Sequence, residues 1–548
     1  MQPVISSAQM REIDRMTTAR YGTPSLVLME NAAAATAQAV TACGVVGKSI
    51  LVLCGPGNNG GDGAATSRLL ALAGAKTDVV LFANVDETKG DARTNFEKVQ
   101  SLAGELSIRF FECGSVDEWK SLRKNELAGP YAVVVDALFG TGLTRPLAGV
   151  HQDAVRYLAQ LRRLRTDDEP NQPAIISIDI PSGLNSDSAQ PIGDAVFADV
   201  TVTMTAPKPA NVLPPAANYN GELIVADIGS PEELIQEAQP NLFVSDEADA
   251  RRWLIQTRYT LDSYKTTHGH ALVIAGSRGF TGAAALCGNA AMRSGAGLVT
   301  VATPVSAQPL VAEQVMPEVM TAALAETDRG AVSVAALDHV LRLAERANVI
   351  AIGPGLSSED ERTRDFVRAV VEQRTTPVVL DADGLNCLAP WPAALRGSHD
   401  LPVVLTPHPG EMLRLMGTND KSALDDRVTA AREFSAAHEV IVVLKGTRSL
   451  IAAPDGRVFV NSTGNAGLGT AGAGDTLTGV IAGFLAQAYG TLKADADALE
   501  TVIAALYVSG LAGDLAAEEI GMRTMVASDI REHLSTAICA LDPEGEIP

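Results

Sequence analysis

Aromatic residues are scarce: Phe, Trp and Tyr together make up 4% of the chain, against 48 glycines. That balance disfavours a β-sandwich and suits an α/β enzyme with tight strand-to-helix turns. Cysteines are few and scattered, at Cys43, Cys54, Cys113, Cys287, Cys387 and Cys539. No two form a CxxC pair, which excludes a zinc ribbon or a dithiol redox motif and reads as reduced thiols of a cytoplasmic protein. Positive charge is in short supply, 43 Lys and Arg against 65 Asp and Glu, for a net charge of −22. A field of that sign repels phosphate backbones, so no nucleic-acid partner is expected. A local nest of backbone N–H groups can still hold a small anion. The opening MQPVISSAQMREIDRM lacks a basic-then-apolar signal sequence, and no run of 18 apolar residues occurs. No membrane partner is therefore expected, and the cytoplasm is the expected location.

What is present is a 548-residue chain with 46% hydrophobic and 20% charged residues, enough for two large cores. Residues 6–42 read as helices, the first capped by Ser6 or Ser7 and carrying Met10, Ile13 and Met16 at helical spacing. A strand–helix alternation follows. Strands are predicted at Ile50–Leu53, Val79–Phe82, Val133–Val135, Ile175–Ile178, Val200–Met204 and Leu223–Val225, with a helix over Asp62–Ala73. The rhythm stops at 229–250, a stretch with two prolines and several acids, and then resumes. The second set of strands is Ala271–Ala275, Leu298–Ala302, Val349–Ile352, Val378–Leu380, Val403–Leu405 and Ile441–Leu444. Its helices are Gly282–Arg293, Glu359–Val371, Asp425–Ala437, Asp475–Ala488 and Ala496–Leu515. Both halves predict parallel sheets covered on both faces, and they share no motif, so they are two different α/β domains, 1–235 and 240–548.

The first chemical constellation is LVLCGPGNNGGDG, Leu51–Gly63, a strand entering a five-glycine turn that opens a helix. Such a turn brings backbone N–H groups close to a phosphate at a helix N-terminus. It is neither GxGxxG nor a P-loop. DALFGTGLTRP (Asp136–Pro146) and DIPSG (Asp179–Gly183) follow two further strands. Ligands of open parallel sheets bind at the carboxyl ends of strands, so Asp62, Asp136 and Asp179 are expected to converge on one crevice. Their carboxylates, with nearby amide oxygens, are hard ligands suited to a cation.

The second constellation is NSTGNAGLGTAGAGDTLTG, whose GAGD (Gly472–Asp475) opens a helix. Glycine N–H groups there can form an anion hole for a transferring phosphoryl group, and Asp475 can accept a proton from an attacking hydroxyl. Around it stand IGPGL (Ile352–Leu356), LDADGLN (Leu380–Asn386), VVLTPHPGEM (Val403–Met412) and VVLKGTRSLI (Val442–Ile451). KGTRS supplies a cation and hydroxyls for phosphates. His408, between two prolines at a strand end, is a candidate for contacting substrate. His268 and His270, two apart without further partners, do not make a metal site.

GPGNNGGDG, DALFGTG and DIPSG resemble the epimerase domain of the NAD(P)HX repair family, which acts on NAD(P)H hydrated on its nicotinamide ring. The resemblance covers about residues 1–235 and implies a Rossmann-like domain. It implies that Asn58, Asn59, Gly60, Gly61 and Asp62, with Gly140, Thr141, Gly142, Leu143, Thr144, Arg145 and Pro146, bind the hydrated dinucleotide. It further implies that Asn59, Asp136 and Ser182 hold a potassium ion and that Asp179 contacts substrate. Asp136 or Asp179 is expected to be the acid–base residue for interconverting the R and S forms.

The second motif set resembles the ribokinase-like fold, and more narrowly the ADP-dependent NAD(P)HX dehydratase domain, over roughly residues 240–548. That resemblance implies that Lys445, Gly446, Thr447, Arg448, Ser449 and Gly474 contact the adenine nucleotide. It also implies that Ala283, Gly355, His408 and Asp475 contact the hydrated cofactor, with Mg²⁺ accompanying ADP. The implied reaction has Asp475 deprotonate the ring hydroxyl, which attacks the terminal phosphate of ADP; elimination then restores NAD(P)H and leaves AMP and phosphate. The family resemblance implies a homo-oligomer. The competing expectation is an ATP-dependent vitamin or sugar kinase fused to a non-catalytic nucleotide-binding scaffold.

Overall fold

The computed structural model describes residues 1–127, 129–163 and 172–543. They divide into two compact units, Pro3–Pro240 and a second formed by Asn241 onward with Met1–Gln2.

In the first unit, Ser6 caps helix α1 (Ser7–Tyr21), closing a box in which its hydroxyl accepts from Gln9 N and the Gln9 side chain accepts from Ser6 N. Helix α2 (Ser25–Ala42) follows, and then the sheet begins. Its strands are β1 (Ser49–Cys54), β2 (Lys76–Leu81), β3 (Ile108–Glu112), β4 (Val133–Ala137), β5 (Ala174–Ile178), β6 (Val200–Met204) and β7 (Glu222–Ala226). Their order is β3-β2-β1-β4-β5-β6-β7, all parallel. The central strands are buried along almost their whole length, as their unbroken aliphatic runs demand, whereas β7 alternates exposed and half-buried as an edge strand does. Chain order reverses between β1 and β4, which opens a crevice at their carboxyl ends. Helix α3 (Asn58–Leu72) starts four residues before the expected Asp62, so NNGG is the first turn of the helix rather than a loop before it.

In the second unit the strands are β8 (Leu242–Val244), β9 (His270–Ile274), β10 (Leu298–Pro304), β11 (Met320–Leu324), β12 (Val349–Ile352), β13 (Val378–Leu380), β14 (Val403–Leu405), β15 (Ile441–Leu444), β16 (Leu450–Ala452) and β17 (Val458–Val460). A two-residue strand, Gln2–Pro3, adds at one edge, giving the order Gln2–Pro3, β8-β17-β16-β15-β14-β13-β12-β9-β10-β11. The parallel expectation holds from β11 to β15, but β15–β16 and β16–β17 are antiparallel. The stretch at 229–250, read as a domain boundary, holds the division between the units and also contains a helix, Glu232–Glu237, and β8, which pairs with β17. Three-residue strands are too short to show a period, so β8, β16 and β17 leave no sequence signature.

Helices α4 (Glu247–Gln256), α5 (Thr281–Arg293), α6 (Pro409–Leu415), α7 (Ala473–Thr491), α8 (Ala498–Ile520) and α9 (Ala527–Leu541) complete the parts used below. The core runs from the sheet into α7, α8 and α9. Trp253 of α4 stacks on Phe484 of α7 at 4.2 Å between ring centroids, and its Nε1 donates to Thr501 Oγ1 of α8 at 3.0 Å. Helix α8 is long and apolar enough to cross a membrane by length and composition, although no uninterrupted apolar run announced it. Its most apolar stretch is 67% buried inside the unit, so that apolarity serves the core.

Candidate active sites

The first site forms at the carboxyl ends of β1, β4 and β5. The turn after β1 is packed tightly: a Cβ on Gly60 would lie 1.8 Å from Gly55 O, so only glycine lets the helix start here. Asp136, the fourth residue of β4, is fully buried. Its Oδ1 accepts from Ser182 Oγ at 2.6 Å and Leu138 N at 3.3 Å, and its Oδ2 from Ser177 Oγ at 2.8 Å and Ser182 N at 2.9 Å. Ser182 Oγ in turn receives Phe139 N at 2.9 Å. Asp136 thus ties the DALFG loop to the DIPSG loop. Burial pushes its carboxyl above the ordinary range, against those hydrogen bonds.

Asp179 follows β5 with φ +66°, a left-handed conformation that costs a non-glycine residue energy. Its Oδ1 receives Lys208 Nζ at 2.6 Å and Thr203 Oγ1 at 3.2 Å. Lys208 is fully buried and also donates to Thr203 Oγ1 and Met204 O, both at 2.9 Å. Gly140 sits over this pair: a Cβ there would lie 2.9 Å from Asp179 Oδ2 and 3.0 Å from Asn59 Oδ1. Asn59 Nδ2 is buried without a partner, as a donor awaiting a ligand would be. Asp62 has its carboxyl raised well above the usual range by burial, then by the charges of Asp179 and Asp14. Two members of the cluster, Lys208 and Asp14, were not singled out from sequence. Leu143, expected in the binding loop, turns its side chain into the core with Leu138 and Leu147.

The oxygens around Asp136 are of the hard type that a cation such as potassium takes. This buried carboxylate has no Lys, Arg or His within ion-pair distance among the described residues, and Ser182 Oγ and Phe139 O adjoin it as further hard oxygen donors.

The second site forms at the carboxyl ends of β9, β12, β13, β14 and β15, again at a reversal of strand order, between β9 and β12. Asp381, directly after β13, is 1% exposed. Its Oδ1 receives Lys445 Nζ at 2.6 Å, and its Oδ2 receives Thr478 Oγ1 of α7 at 2.8 Å. Buried Glu411 of α6 places Oε2 3.9 Å from the same ammonium. Although burial opposes its charge, Asp381 and Glu411 hold Lys445 above its ordinary pKa. The GAGD turn lies on this ion pair: a Cβ on Gly474 would be 3.3 Å from Lys445 Nζ and 3.7 Å from Asp381 Oδ2. Asp475, in the first turn of α7, is pushed up to about 6 by burial and the Asp381 charge, with Lys445 pulling the other way.

The remaining sequence candidates are brought to the same end of the sheet. Ala283 of α5 and Gly355 after β12 touch, a Cβ on Gly355 falling 2.9 Å from Ala283 Cβ. His408 caps α6, its Nδ1 accepting from Gly410 N at 3.0 Å and Glu411 N at 3.3 Å. In the KGTRS turn, Arg448 Nη1 is spent on Ser462 O at 2.6 Å, and Ser449 Oγ donates to Gly446 O at 3.2 Å. Arg427, not foreseen, clamps the turn from below through Leu444 O, Lys445 O and Thr447 O. Asp381 and Glu411 lay inside quoted motifs, but only the fold shows that they neutralise Lys445. His268 stacks on Tyr259 and His270 bonds Thr300, so that pair is structural. Among the described residues no three His, Cys, Asp or Glu side chains gather as a metal cage.

Two α/β units, each with a glycine-rich helix start beside buried carboxylates at the reversal point of a parallel sheet, define a two-domain nucleotide-handling enzyme. Residues 25–210 match the family described as YjeF-related protein N-terminus, and residues 271–536 match NAD(P)H-hydrate dehydratase. A bifunctional NAD(P)H-hydrate repair enzyme of Moorella thermoacetica is 38% identical, covering 99% of this chain and 98% of its own. One of Thermofilum pendens is 36% identical, covering 98% and 97%. A crystal structure of the Bacillus subtilis ADP/ATP-dependent NAD(P)H-hydrate dehydratase, co-crystallised with ATP and Mg²⁺, is 32% identical, covers 55% of this chain and 99% of its own, and superposes with a TM-score of 0.46. The chain belongs to the bifunctional NAD(P)H-hydrate repair enzyme family.

Proposed function

We propose that the protein repairs hydrated NADH and NADPH in two steps: residues 1–235 epimerise R- and S-NAD(P)HX, and residues 240–548 dehydrate the S form with ADP, releasing AMP and phosphate. The observation that carries the second step is Asp475, a carboxyl with a pKa of about 6 at the start of α7, set beside Lys445 and Asp381. At pH 7 it is mostly ionised yet basic enough to take the ring hydroxyl's proton as that oxygen attacks the terminal phosphorus of ADP. The α7 N-terminal amides and the Lys445 ammonium lower the cost of charge on the transferring phosphoryl group. AMP leaves, and the ring nitrogen then expels phosphate while the adjacent ring carbon gives up a proton, so the water lost by the cofactor is consumed in splitting ADP. Mg²⁺ accompanying the nucleotide would neutralise phosphate charge, and Asp381 and Glu411 are the carboxylates that would hold it.

For epimerisation, the C–O bond breaks with the electron pair leaving on oxygen, assisted by the ring nitrogen, while a carboxylic acid protonates the departing hydroxyl. Re-addition of water from the other face returns that proton. Fully buried Asp136 suits holding the loops and, with Ser182 and Asn59, a potassium ion; the acid–base work falls to the cluster around Asp179 and Asp62. The protein acts in the cytoplasm, consistent with six free cysteines, and as a homo-oligomer by family likeness, which light scattering tests. The deciding assay supplies separated R- and S-NADHX with ADP and follows the return of NADH absorbance. Immediate recovery from S, delayed recovery from R and no turnover without nucleotide are expected. No recovery from either, with ATP-dependent phosphorylation of a vitamin or sugar instead, overturns the reading.

A further inference from the structure

Helix α1 reaches the first site from outside the three strand-end loops. Its Met10 and Ile13 pack with Ile5, Ala206 and Leu234, and Ile5 N donates to Pro207 O at 2.9 Å. This anchors the helix on the segment that ends in Lys208, whose Nζ grips Asp179. Asp14 follows Ile13 on that helix. Its Oδ1 is buried and has no hydrogen-bond partner among the described residues. Other acids beside α1 are engaged elsewhere: Asp187 accepts from Ser7 N and Oγ, and Glu237 pairs with Arg20.

A buried carboxylate oxygen without a donor is costly and calls for a functional account. Among the described residues, the charges that act on Asp14 are Lys208 and Asp179, and Asp179 and Asp14 both act on Asp62 of α3. Three carboxyls against one ammonium leave an excess of negative charge if all ionise. We propose that Asp14 is a positioning residue of the epimerase site, its negative charge keeping on Asp62 the proton that is lent to the departing hydroxyl. Burial together with Lys208 and Asp179 sets the Asp14 carboxyl at about 6, and Asp14 in turn raises Asp62. The proton passes from Asp62 to the leaving oxygen as the C–O bond breaks, and returns when water adds to the opposite face.

The inference rests on the epimerase reading of this domain. Its test is the pH profile of R-to-S conversion by the full-length protein, with ADP-dependent dehydration of S-NADHX as an internal control of folding. In Asp14→Asn the alkaline limb of kcat moves down by about one pH unit, so conversion above that limb falls about tenfold while KM and dehydration stay near wild type. Lys208→Met moves the same limb upward. An Asp14→Asn profile superimposable on wild type overturns the proposal. So does an equal loss at every pH with a raised KM, which marks a merely structural residue. A wild-type protein that dehydrates S-NADHX but never converts R removes the epimerase reading itself and is distinguishable from either.

Discussion

Substituting Asp475 by Asn separates catalysis from stability. The carboxyl stands at about 6 in the folded protein and 3.8 in an ordinary setting. Between those values the folded state holds a proton that the unfolded state has released, so stability falls as pH rises from 4 to 6. Above pH 6 the carboxylate is ionised against burial and the Asp381 charge, at a cost of about 2 kcal/mol after discounting for its partial exposure. Asparagine keeps the shape and removes the charge. At pH 8 the variant therefore gains about 2 kcal/mol, or about 5 °C in the melting of the C-terminal domain, and at pH 4 it gains nothing. Without a base at the hydroxyl, dehydration falls about 10²–10⁴-fold. Scanning calorimetry at the two pH values and NADH recovery from S-NADHX read both effects. A variant that melts lower at pH 8, or dehydrates at the wild-type rate, refutes the argument. The wild-type rate itself should fall about tenfold per pH unit below 6, as the base becomes protonated.

Lys445→Met strands buried Asp381 and Glu411 without their cation and should cost about 3–5 kcal/mol in urea unfolding; adding Asp381→Asn should recover part of it. Gly140→Ala places a methyl 2.9 Å from Asp179 Oδ2, so epimerisation should fall at least about tenfold with dehydration intact, as paired assays on R and S substrate show. Asp136→Asn turns an NH₂ toward donors that now meet oxygen, so the N-terminal domain should lose about 1–3 kcal/mol and any stimulation of epimerisation by potassium should disappear.

The parts legible in the sequence are those whose constraint is local. The GPGNNGG turn must be glycine-rich because backbone passes within van der Waals reach of backbone, and Gly472 of GAGD because its φ is +84°; both requirements are written in consecutive residues. Aliphatic runs likewise announced the central strands, whereas three-residue β8, β16 and β17 are defined by partners far along the chain. Charge compensation is the least local constraint. Lys445 meets Asp381 from 64 residues away, and Lys208 meets Asp179 from 29. Before folding, Lys208 is one lysine ahead of a proline, and Asp14 is one acid beside Arg15 on an amphipathic helix.

In both units a lysine from a later part of the chain meets a strand-end aspartate, and a further carboxyl nearby is held above its ordinary pKa: Asp475 beside Asp381–Lys445, Asp62 beside Asp179–Lys208. The lysine ammonium pairs with the strand-end aspartate, and burial, followed by that aspartate's charge, raises the neighbouring acid. Removing either lysine should therefore shift the pH range over which its domain runs before it weakens substrate binding.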